Sequence, residues 1–315
     1  MAINRSAIAK ELLPGLNAIF GVEYGSVDDE HLALYAVENS DRAFEEEVLF
    51  TGFGTAPTKA EGAAVQYDDA SEGYTARYTM ETVALAFAIT EESMEDNLYD
   101  TFAKLRAKGL ARAMANTKQV KAADVFNNGF STSYLGGDGA ALFSASHPTV
   151  GAGNLSNTLG AVDLSESALE TGLIAIARMV DDRGILIGLQ AESIHVPPDL
   201  AFVADQVLHT SLSTKLQTAA PYVGATGVTN LNNINAIKNQ GLVPGGFTVN
   251  RRFTDTNAWY IKTDCPNGAK MFVRAPLQTK MEPDFDTGNL RFKSRERYAF
   301  GWSDWRGYFG ASGAS

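Results

Sequence analysis

The residue types that most often catalyse reactions or bind metals are few in this chain, and they are scattered along it. The four histidines are His31, His147, His195 and His209. None of them has a second histidine three or four residues away, which is the spacing that places two metal ligands on one helix face. The single cysteine, Cys265, lies in Thr263–Gly268, a segment that predicts a turn between two strands, and no neighbouring motif supplies a base.

Three short segments share part of a known motif but lack its context. Gly151–Ser156 has the spacing of a dinucleotide-binding loop, yet it neither follows a strand nor opens a helix. Asp284–Gly288 lacks the third ligand and the closing glutamate of a calcium loop. Ser144–Pro148 contains serine and histidine without a nucleophile elbow, so it is better interpreted as a turn. We therefore predict no catalytic residue, no cofactor and no metal.

The bulk composition narrows the class of protein. The 315 residues, 45% of them hydrophobic, suffice for one large domain or two smaller ones. No apolar run reaches the roughly 18 residues of a membrane span, and one cysteine excludes an intrachain disulfide, as is typical of a reducing compartment. The net charge of −11 argues against a protein that grips phosphates over much of its surface.

Residues 1–47 look like an arm that lies outside the core. A short helix over Ala7–Leu13 is predicted, ended by Pro14 and Gly15. Acidic side chains dominate between Asp28 and Glu47, where Arg42 is the only lysine or arginine. This stretch is either a solvated acidic face or an arm that binds a basic neighbour.

A long β-hairpin is predicted after the arm. Val48–Phe53 and Tyr74–Met80 have strand character, and the glycine-rich residues between them contain too few large apolar side chains to form a core. A hairpin with so little to bury is unfavourable inside a compact monomer. Its natural burial partner is another subunit.

The clearest helix signal follows the hairpin. Thr90 is a suitable N-cap for a helix over residues 91–127, in which acidic residues come first and basic residues later, as the helix dipole favours. One apolar stripe is predicted to face inward: Met94, Leu98, Phe102, Leu105, Leu110, Met114 and Ala123.

The second half of the chain mixes helices and strands without a repeating unit. A helix capped by Asp163 is predicted, then a strand at Ile194–Val196 and a helix over Asp199–Leu212. Strands are predicted at Trp259–Lys262 and Lys270–Arg274. This order indicates the α+β class.

The last predicted strand, Leu290–Trp302, alternates sharply between apolar and basic side chains. Leu290, Phe292, Tyr298, Phe300 and Trp302 are predicted on one face, and Arg291, Lys293, Arg295 and Arg297 on the other. The basic row is a solvated face, a contact for an acidic partner such as the arm of another copy, or a weak contact with nucleic acid.

Four stretches resemble the major capsid proteins of tailed bacteriophages (Caudoviricetes), which have the Hong Kong 97-type (HK97-like) fold. They occur in the order expected for that family: Tyr78–Glu92, Leu142–Pro148, Val196–Leu200 and Tyr298–Arg306. The first resembles the passage from the family's extended loop into its spine helix, and the last resembles the closing strand of its peripheral domain.

The resemblance implies a division of the chain into parts. These are an N-terminal arm at 1–47, an extended hairpin loop (E-loop) at 48–86, a peripheral domain at 87–190 with a spine helix at about 91–127, an axial domain at 191–275, and a return to the peripheral domain at 276–315.

The resemblance also implies a function. The chain would be a major head protein, not an enzyme, whose copies assemble as pentamers and hexamers into an icosahedral shell around double-stranded DNA. Expected partners are the portal protein and a possible decoration protein, with no membrane. Because the chain begins at the arm, either a separate scaffolding protein is expected or the chain is a form already processed. Assembly is expected in the host bacterial cytoplasm, and the mature location is the virion.

The residues expected to contact neighbouring subunits come from the hairpin, the acidic stretch and the basic row. They are Phe53, Lys59, Tyr67, Tyr74, Arg77, Glu45, Glu46, Glu47, Arg291, Lys293, Arg295 and Arg297. Lys59 is the only lysine between residues 45 and 90, but no flanking motif supports covalent cross-linking through it. Alternative interpretations are an encapsulin-like protein compartment, a soluble enzyme of unknown class, and another virion component such as a decoration or tail protein.

Overall fold

The computed structural model describes residues 5–90, 92–93, 99–212, 234–284 and 287–314. Its helices are α1 (Arg5–Tyr24), α2 (His31–Leu34), α3 (Tyr99–Asn127), α4 (Glu166–Ala177), α5 (Ala201–His209) and α6 (Ala236–Gln240), with short 3-10 turns at Pro198–Leu200 and Trp305–Gly307.

The strands form two larger sheets and two strand pairs. They are β1 (Ala36–Asn39), β2 (Phe44–Phe50), β3 (Glu72–Thr79), β4 (Glu81–Ile89), β5 (His147–Pro148), β6 (Asn154–Leu155), β7 (Thr158–Gly160), β8 (Ala191–Val196), β9 (Phe247–Val249), β10 (Trp259–Thr263), β11 (Ala269–Pro283), β12 (Leu290–Trp302) and β13 (Tyr308–Ala311). A four-stranded sheet has the order β1-β11-β12-β4, a five-stranded sheet has the order β7-β13-β10-β8-β9, and β2-β3 and β5-β6 pair separately. The predicted α+β class is confirmed.

The predicted hairpin is present, with a shifted first strand. β2 pairs antiparallel with β3, so that Phe44 lies opposite Thr79 and Phe50 lies opposite Glu72. Residues 51–71 between them form no helix or strand. The first strand begins at Phe44 instead of Val48, because the three glutamates that we assigned to the arm are part of the strand.

The predicted helix end at Pro14 is wrong. Helix α1 continues through Pro14 to Tyr24, and the side chains of Leu16 and Phe20 are both 1% exposed. They pack in one cluster with Leu110 of α3 and Phe292 of β12. Burial of these two side chains offsets the hydrogen bond that proline removes, so the second half of α1 belongs to the core and not to a free arm.

The long helix packs on the four-stranded sheet largely through alanine. Thr90 Oγ1 accepts a hydrogen bond from the Ser93 N–H at 3.4 Å, which confirms the predicted cap, while residues 91 and 94–98 of the predicted first turns lie outside the described residues. Leu105 is 66% exposed, so its place in the predicted stripe is wrong. Small side chains fill the contact instead: Ala103, Ala107, Ala111, Ala122 and Ala123 are each at most 1% exposed.

The five-stranded sheet and α4 form the second core. Ser165, and not Asp163, caps α4, because its Oγ accepts from the Ala168 N–H at 3.2 Å, while Asp163 accepts from the Ala314 N–H at 2.8 Å. Helix α5 ends at His209, earlier than predicted. Strand β11 runs across the expected domain limit at residue 275 and pairs with β12, whereas β13 joins the five-stranded sheet, so that limit does not divide the sheets.

Candidate assembly surfaces

The hairpin presents large apolar side chains to solvent. Tyr67 is 94% exposed and Phe53 is 64% exposed, and Phe50 and Val65 are similarly exposed. Lys59 lies in the same exposed stretch. Residues 44–79 also carry seven acidic and two basic side chains, which gives this segment a net charge of −5. An exposed apolar surface with an acidic charge is typical of a protein interface.

The root of the hairpin, which is the paired part of β2 and β3, is held on its own chain by Glu47. The Lys270 Nζ atom lies 2.5 Å from Glu47 Oε1 and 3.0 Å from Glu38 Oε1, and the Ser303 hydroxyl also donates to Glu47. Burial would lower the pKa of Lys270, but these two carboxylates outweigh it and leave the pKa raised. Glu47 is therefore a structural residue, although the sequence placed it among the inter-subunit contacts.

The other two glutamates of β2 also have partners in the same chain. Glu45 accepts a hydrogen bond from the Ser40 hydroxyl at 2.7 Å. Glu46 Oε1 lies 3.8 Å from Arg77 Nε, and the Arg77 guanidinium lies over the Phe44 ring at 4.2 Å. The Glu46 and Arg77 side chains are both about half exposed, so their ion pair is weak and can exchange for another partner.

Tyr74 points into its own chain and not toward a neighbour. Its hydroxyl is buried and has no hydrogen-bond partner among the described residues. Burial, with Asp304 and Asp138 nearby, raises its pKa. Close to it, Arg306 Nη2 lies 2.5 Å from Asp182 Oδ1. This predicted contact residue belongs to the packing beneath the hairpin.

The far part of the hairpin is held by an ion pair that the sequence did not predict. Arg183 Nη2 donates to both carboxylate oxygens of Asp68, at 2.7 and 2.8 Å, and Asp68 also accepts from the Gly54 N–H at 2.6 Å. The Gly54 N–H and Arg183 lower the pKa of Asp68. This contact ties residues 51–71 to the turn before β8.

The predicted alternation of β12 is confirmed from Leu290 to Arg295, where the basic row lies on the sheet face opposite α1 and α3, whereas Arg297 is half-buried. Leu290, Phe292 and Tyr298 of β12 are buried, whereas Arg291, Lys293 and Arg295 are exposed. Arg291 pairs with Asp284 at 2.5 Å. Lys293, Arg295 and Arg297 form no ion pair within 4.0 Å with another residue of the described ranges, although Lys293, after Lys280, helps to lower the pKa of Glu282.

A row of small side chains lies beside these cations. The register between β4 and β12 places Thr82, Ala84, Ala86 and Ala88 opposite Arg297, Arg295, Lys293 and Arg291. Directly opposed residues of an antiparallel pair share one face of the sheet. The result is a flat surface of methyl groups bordered by cations, which suits an extended acidic segment.

Glu296 is the charged residue of β12 that sequence reasoning missed. Its side chain lies on the same face of β12 as those of Phe292 and Tyr298. It is buried against α3, where Lys118 Nζ lies 2.6 Å from its Oε2. The Tyr24 hydroxyl donates to its Oε1 at 3.0 Å. The alternation of the strand was the available signal, because it places Glu296 on the inward face.

His147 is buried among structural partners, and Cys265 is partly buried. His147 Nδ1 lies 2.6 Å from Asp138 Oδ2, and its Nε2 lies 3.0 Å from Asn157 Oδ1. Its ring stacks on Trp305 at 4.2 Å. Burial and nearby Asp304 raise the pKa of the Cys265 thiol, which disfavours the nucleophilic thiolate.

The described residues contain neither a metal-binding cluster nor a membrane-spanning helix. No group of three or more histidine, cysteine, aspartate or glutamate side chains there has the geometry to hold a metal ion. Within the same ranges, no helix combines the length and the apolar character that crossing a membrane requires.

Comparison with known families decides the kind of protein. A family model described as phage capsid protein matches residues 73–310, which is more than half of the chain. The chain belongs to this phage capsid protein family. The match begins in β3 and extends to β13, so it includes β4, β11 and β12 with the basic row but not β1. The predicted resemblance to tailed-phage capsid proteins is confirmed.

Solved structures share the fold of this capsid protein over nearly its whole length. The capsid of a native GTA particle is 13% identical, with a TM-score of 0.55 and coverage of 92% of this chain and 92% of that one. The procapsid of bacteriophage JBD30 is 14% identical, with a TM-score of 0.50 and coverage of 98% and 75%.

A virus-like particle from Pyrococcus furiosus is also similar. It is 10% identical, with a TM-score of 0.51 and coverage of 96% of this chain and 99% of that one. Identities this low show the fold alone. No curated protein matches the capsid protein in sequence.

Proposed function

We propose that this phage capsid protein is the major head protein, whose copies assemble as pentamers and hexamers into an icosahedral shell around double-stranded DNA. The observation that carries the proposal is the complementarity of two surfaces on one chain. The hairpin segment is acidic, with exposed aromatic residues, and the β12–β4 face is basic, with a floor of small side chains. The two surfaces lie on different sheets of the subunit, and their complementary charges allow them to pair between copies.

The apolar and the charged side chains contribute differently to the interface. The apolar side chains around Phe53 and Tyr67 supply buried area, which drives association. The acidic and basic side chains fix orientation and disfavour wrong pairings. A subunit with neighbours on several sides buries more than the roughly 1,600 Å² of a standard interface, and many such contacts close cooperatively.

The protein is structural and not an enzyme, because its buried titratable groups are engaged in packing and ion pairs. It assembles in the bacterial cytoplasm with a scaffolding protein, joins a portal protein, and resides in the virion, where a decoration protein can bind. None of the hydrophobic core clusters of the described residues includes a residue from 51–71, which supports a role for this loop between subunits.

The experiment is to shorten the hairpin without disturbing its root. Replacing residues 53–69 with Asn-Gly keeps β2, β3 and the Thr51–Ser71 backbone hydrogen bond of 2.9 Å. The expected product is a folded, soluble subunit that forms no stable shells. Arg178→Ala, an exposed substitution outside the hairpin, is the control, and it assembles normally because Arg178 belongs to neither proposed contact surface. Normal shells from the shortened protein would contradict the proposal.

A second candidate, a protein compartment without DNA, is favoured by the likeness to the particle from Pyrococcus furiosus. Nuclease treatment and nucleic-acid staining of particles purified from infected cells separate the two. DNA protected inside the particles supports the phage head, and particles that contain only protein support the compartment.

A further inference from the structure

Strand β4 has an open edge. It pairs with β12 on one side, and no other described strand pairs with its second side. Arg106 Nη1 donates to the Ala88 carbonyl at 2.9 Å, so this carbonyl points to the open edge. Because backbone groups alternate along a strand, the N–H and C=O groups of Thr82, Ala84 and Ala86 point the same way.

This edge lacks the usual protection against pairing. Proteins commonly guard exposed edges with charged residues, prolines or bulges. Residues 82–90 contain no charge and no proline, and Arg106 covers only the Ala88 end. An open, uncharged edge of this length is a template for an additional strand, in which main-chain hydrogen bonds give affinity and side chains give specificity.

The surroundings of the edge select an acidic strand with large apolar side chains. The outward side chains of β4 are threonine and alanine, which leave room above the sheet. Arg295 lies directly opposite Ala84, and Lys293 lies opposite Ala86. Neither cation has an ion-pair partner in the ranges that the structure describes. Both are therefore available, from β12, to neutralise a carboxylate on a strand that pairs with β4.

Strand β2 has the matching features. The Ala43 carbonyl accepts from the Met80 N–H at 3.2 Å, toward β3, so the alternate residues Phe44, Glu46 and Val48 direct their backbone groups to the outer edge. These three side chains are also exposed, as is that of Phe50. Glu46 is free to exchange partners because its pair with Arg77 is long and solvated.

We propose that β2 of one copy pairs with the open edge of β4 in a second copy, with Glu46 opposite Ala84 and beside Arg295. Phe44 and Val48 then cover the alanine row, and a continuous sheet joins two subunits. This inference rests on the proposed self-assembly and adds a strand register to it. It concerns the root of the hairpin, whereas the exposed residues around Phe53 and Tyr67 make the wider apolar contact.

Disulfide trapping tests this register. Two differently tagged proteins, one with Glu46→Cys and one with Ala84→Cys, are co-assembled in a Cys265→Ser background, purified as shells and oxidised. Residues that exchange both backbone hydrogen bonds have Cα atoms about 5.5 Å apart, which suits a disulfide. The expected product is a heterodimer that carries both tags on a non-reducing gel.

Two variants control for parity and for the edge hydrogen bonds. Leu85→Cys replaces Ala84→Cys in one control, and its thiol lies on the other face of the sheet, so the heterodimer is absent. Ala86→Pro removes an N–H that points to the open edge and leaves the β12 side intact. It is expected to lower the heterodimer yield at least tenfold without changing the melting temperature of the subunit.

Four results would overturn the inference. Shells without the Glu46–Ala84 heterodimer would reject the register and leave the proposed function standing, and so would equal trapping through Leu85→Cys. A product that joins two Ala84→Cys copies would show that β4 pairs with itself. If neither the Cys265→Ser protein nor the unsubstituted protein forms any shell, the proposed function is rejected together with the inference.

Discussion

Lys270 Nζ lies 2.5 Å from Glu47 Oε1, and this contact joins the root of the hairpin to the four-stranded sheet. Only 8% of the Lys270 side chain is exposed. The ammonium therefore depends on Glu47 and Glu38 for its stabilisation. The position of the hairpin on its own subunit is thus set by a largely buried ion pair.

Breaking this pair should loosen the hairpin root. Lys270→Met leaves the Glu47 carboxylate without its cation, and we expect a loss of about 3 kcal/mol in the free energy of unfolding. The double variant Lys270→Met, Glu47→Gln removes both charges and should recover most of the loss. Urea unfolding of the unassembled subunit measures both values, and equal losses in the two variants would refute the coupling.

The Arg183–Asp68 contact should restrain the hairpin without stabilising the fold. Its side chains are partly exposed, and such solvent-exposed pairs contribute little to stability. Arg183→Ala should therefore leave the melting temperature almost unchanged. Trypsin should cleave after Lys59 several-fold faster, because residues 51–71 open more often. Arg178→Ala, which removes an exposed arginine of the same segment, is the control and should not change the cleavage rate.

The Lys118–Glu296 pair should hold α1 on the core. Lys118→Met leaves Glu296 buried at 3% exposure with only the Tyr24 hydroxyl as a described side-chain partner. We expect a destabilisation of about 3 kcal/mol and faster hydrogen exchange in α1. Adding Glu296→Gln should restore most of the stability, since an amide still accepts from Tyr24. Unchanged exchange in α1 would contradict this role.

His195 should make the subunit less stable in mild acid. Burial, assisted by Lys262, lowers its pKa to about 3, while the unfolded chain has the ordinary value of about 6.5. Between these values the unfolded state binds the extra proton, so stability falls as the pH drops below about 6.5, by at most about 1.4 kcal/mol per pH unit. Urea unfolding at pH 7 and pH 5 measures this change. A His195→Gln variant with an equally steep pH dependence would assign the effect to another group.

The sequence predicted the elements whose patterns are local. The alternation from Leu290 to Trp302 placed the basic row correctly, and the glycine-rich stretch between two strand-like segments indicated the hairpin. The family resemblance came from short stretches that lie within or beside these elements. Each of these signals depends on neighbours in the chain, which a sequence shows directly.

The sequence did not predict features that depend on distant partners. Helix α1 passes Pro14 because Leu16 and Phe20 bury against α3 and β12, which only the fold brings together. Leu105 is exposed because α3 approaches its neighbours through alanines such as Ala107, a pattern that a search for large apolar residues overlooks. The contacts of Glu47 with Lys270 and of Asp68 with Arg183 likewise join residues more than 100 positions apart.

Copies of this chain are expected to build a closed shell. Negative-stain electron microscopy of the purified protein, with size-exclusion chromatography of the same sample, tests it most directly. We expect icosahedral shells, or rings of five and six subunits that close into shells when scaffolding protein is added. Globular monomers that persist at high concentration, with scaffolding protein and crowding agent present, would contradict it.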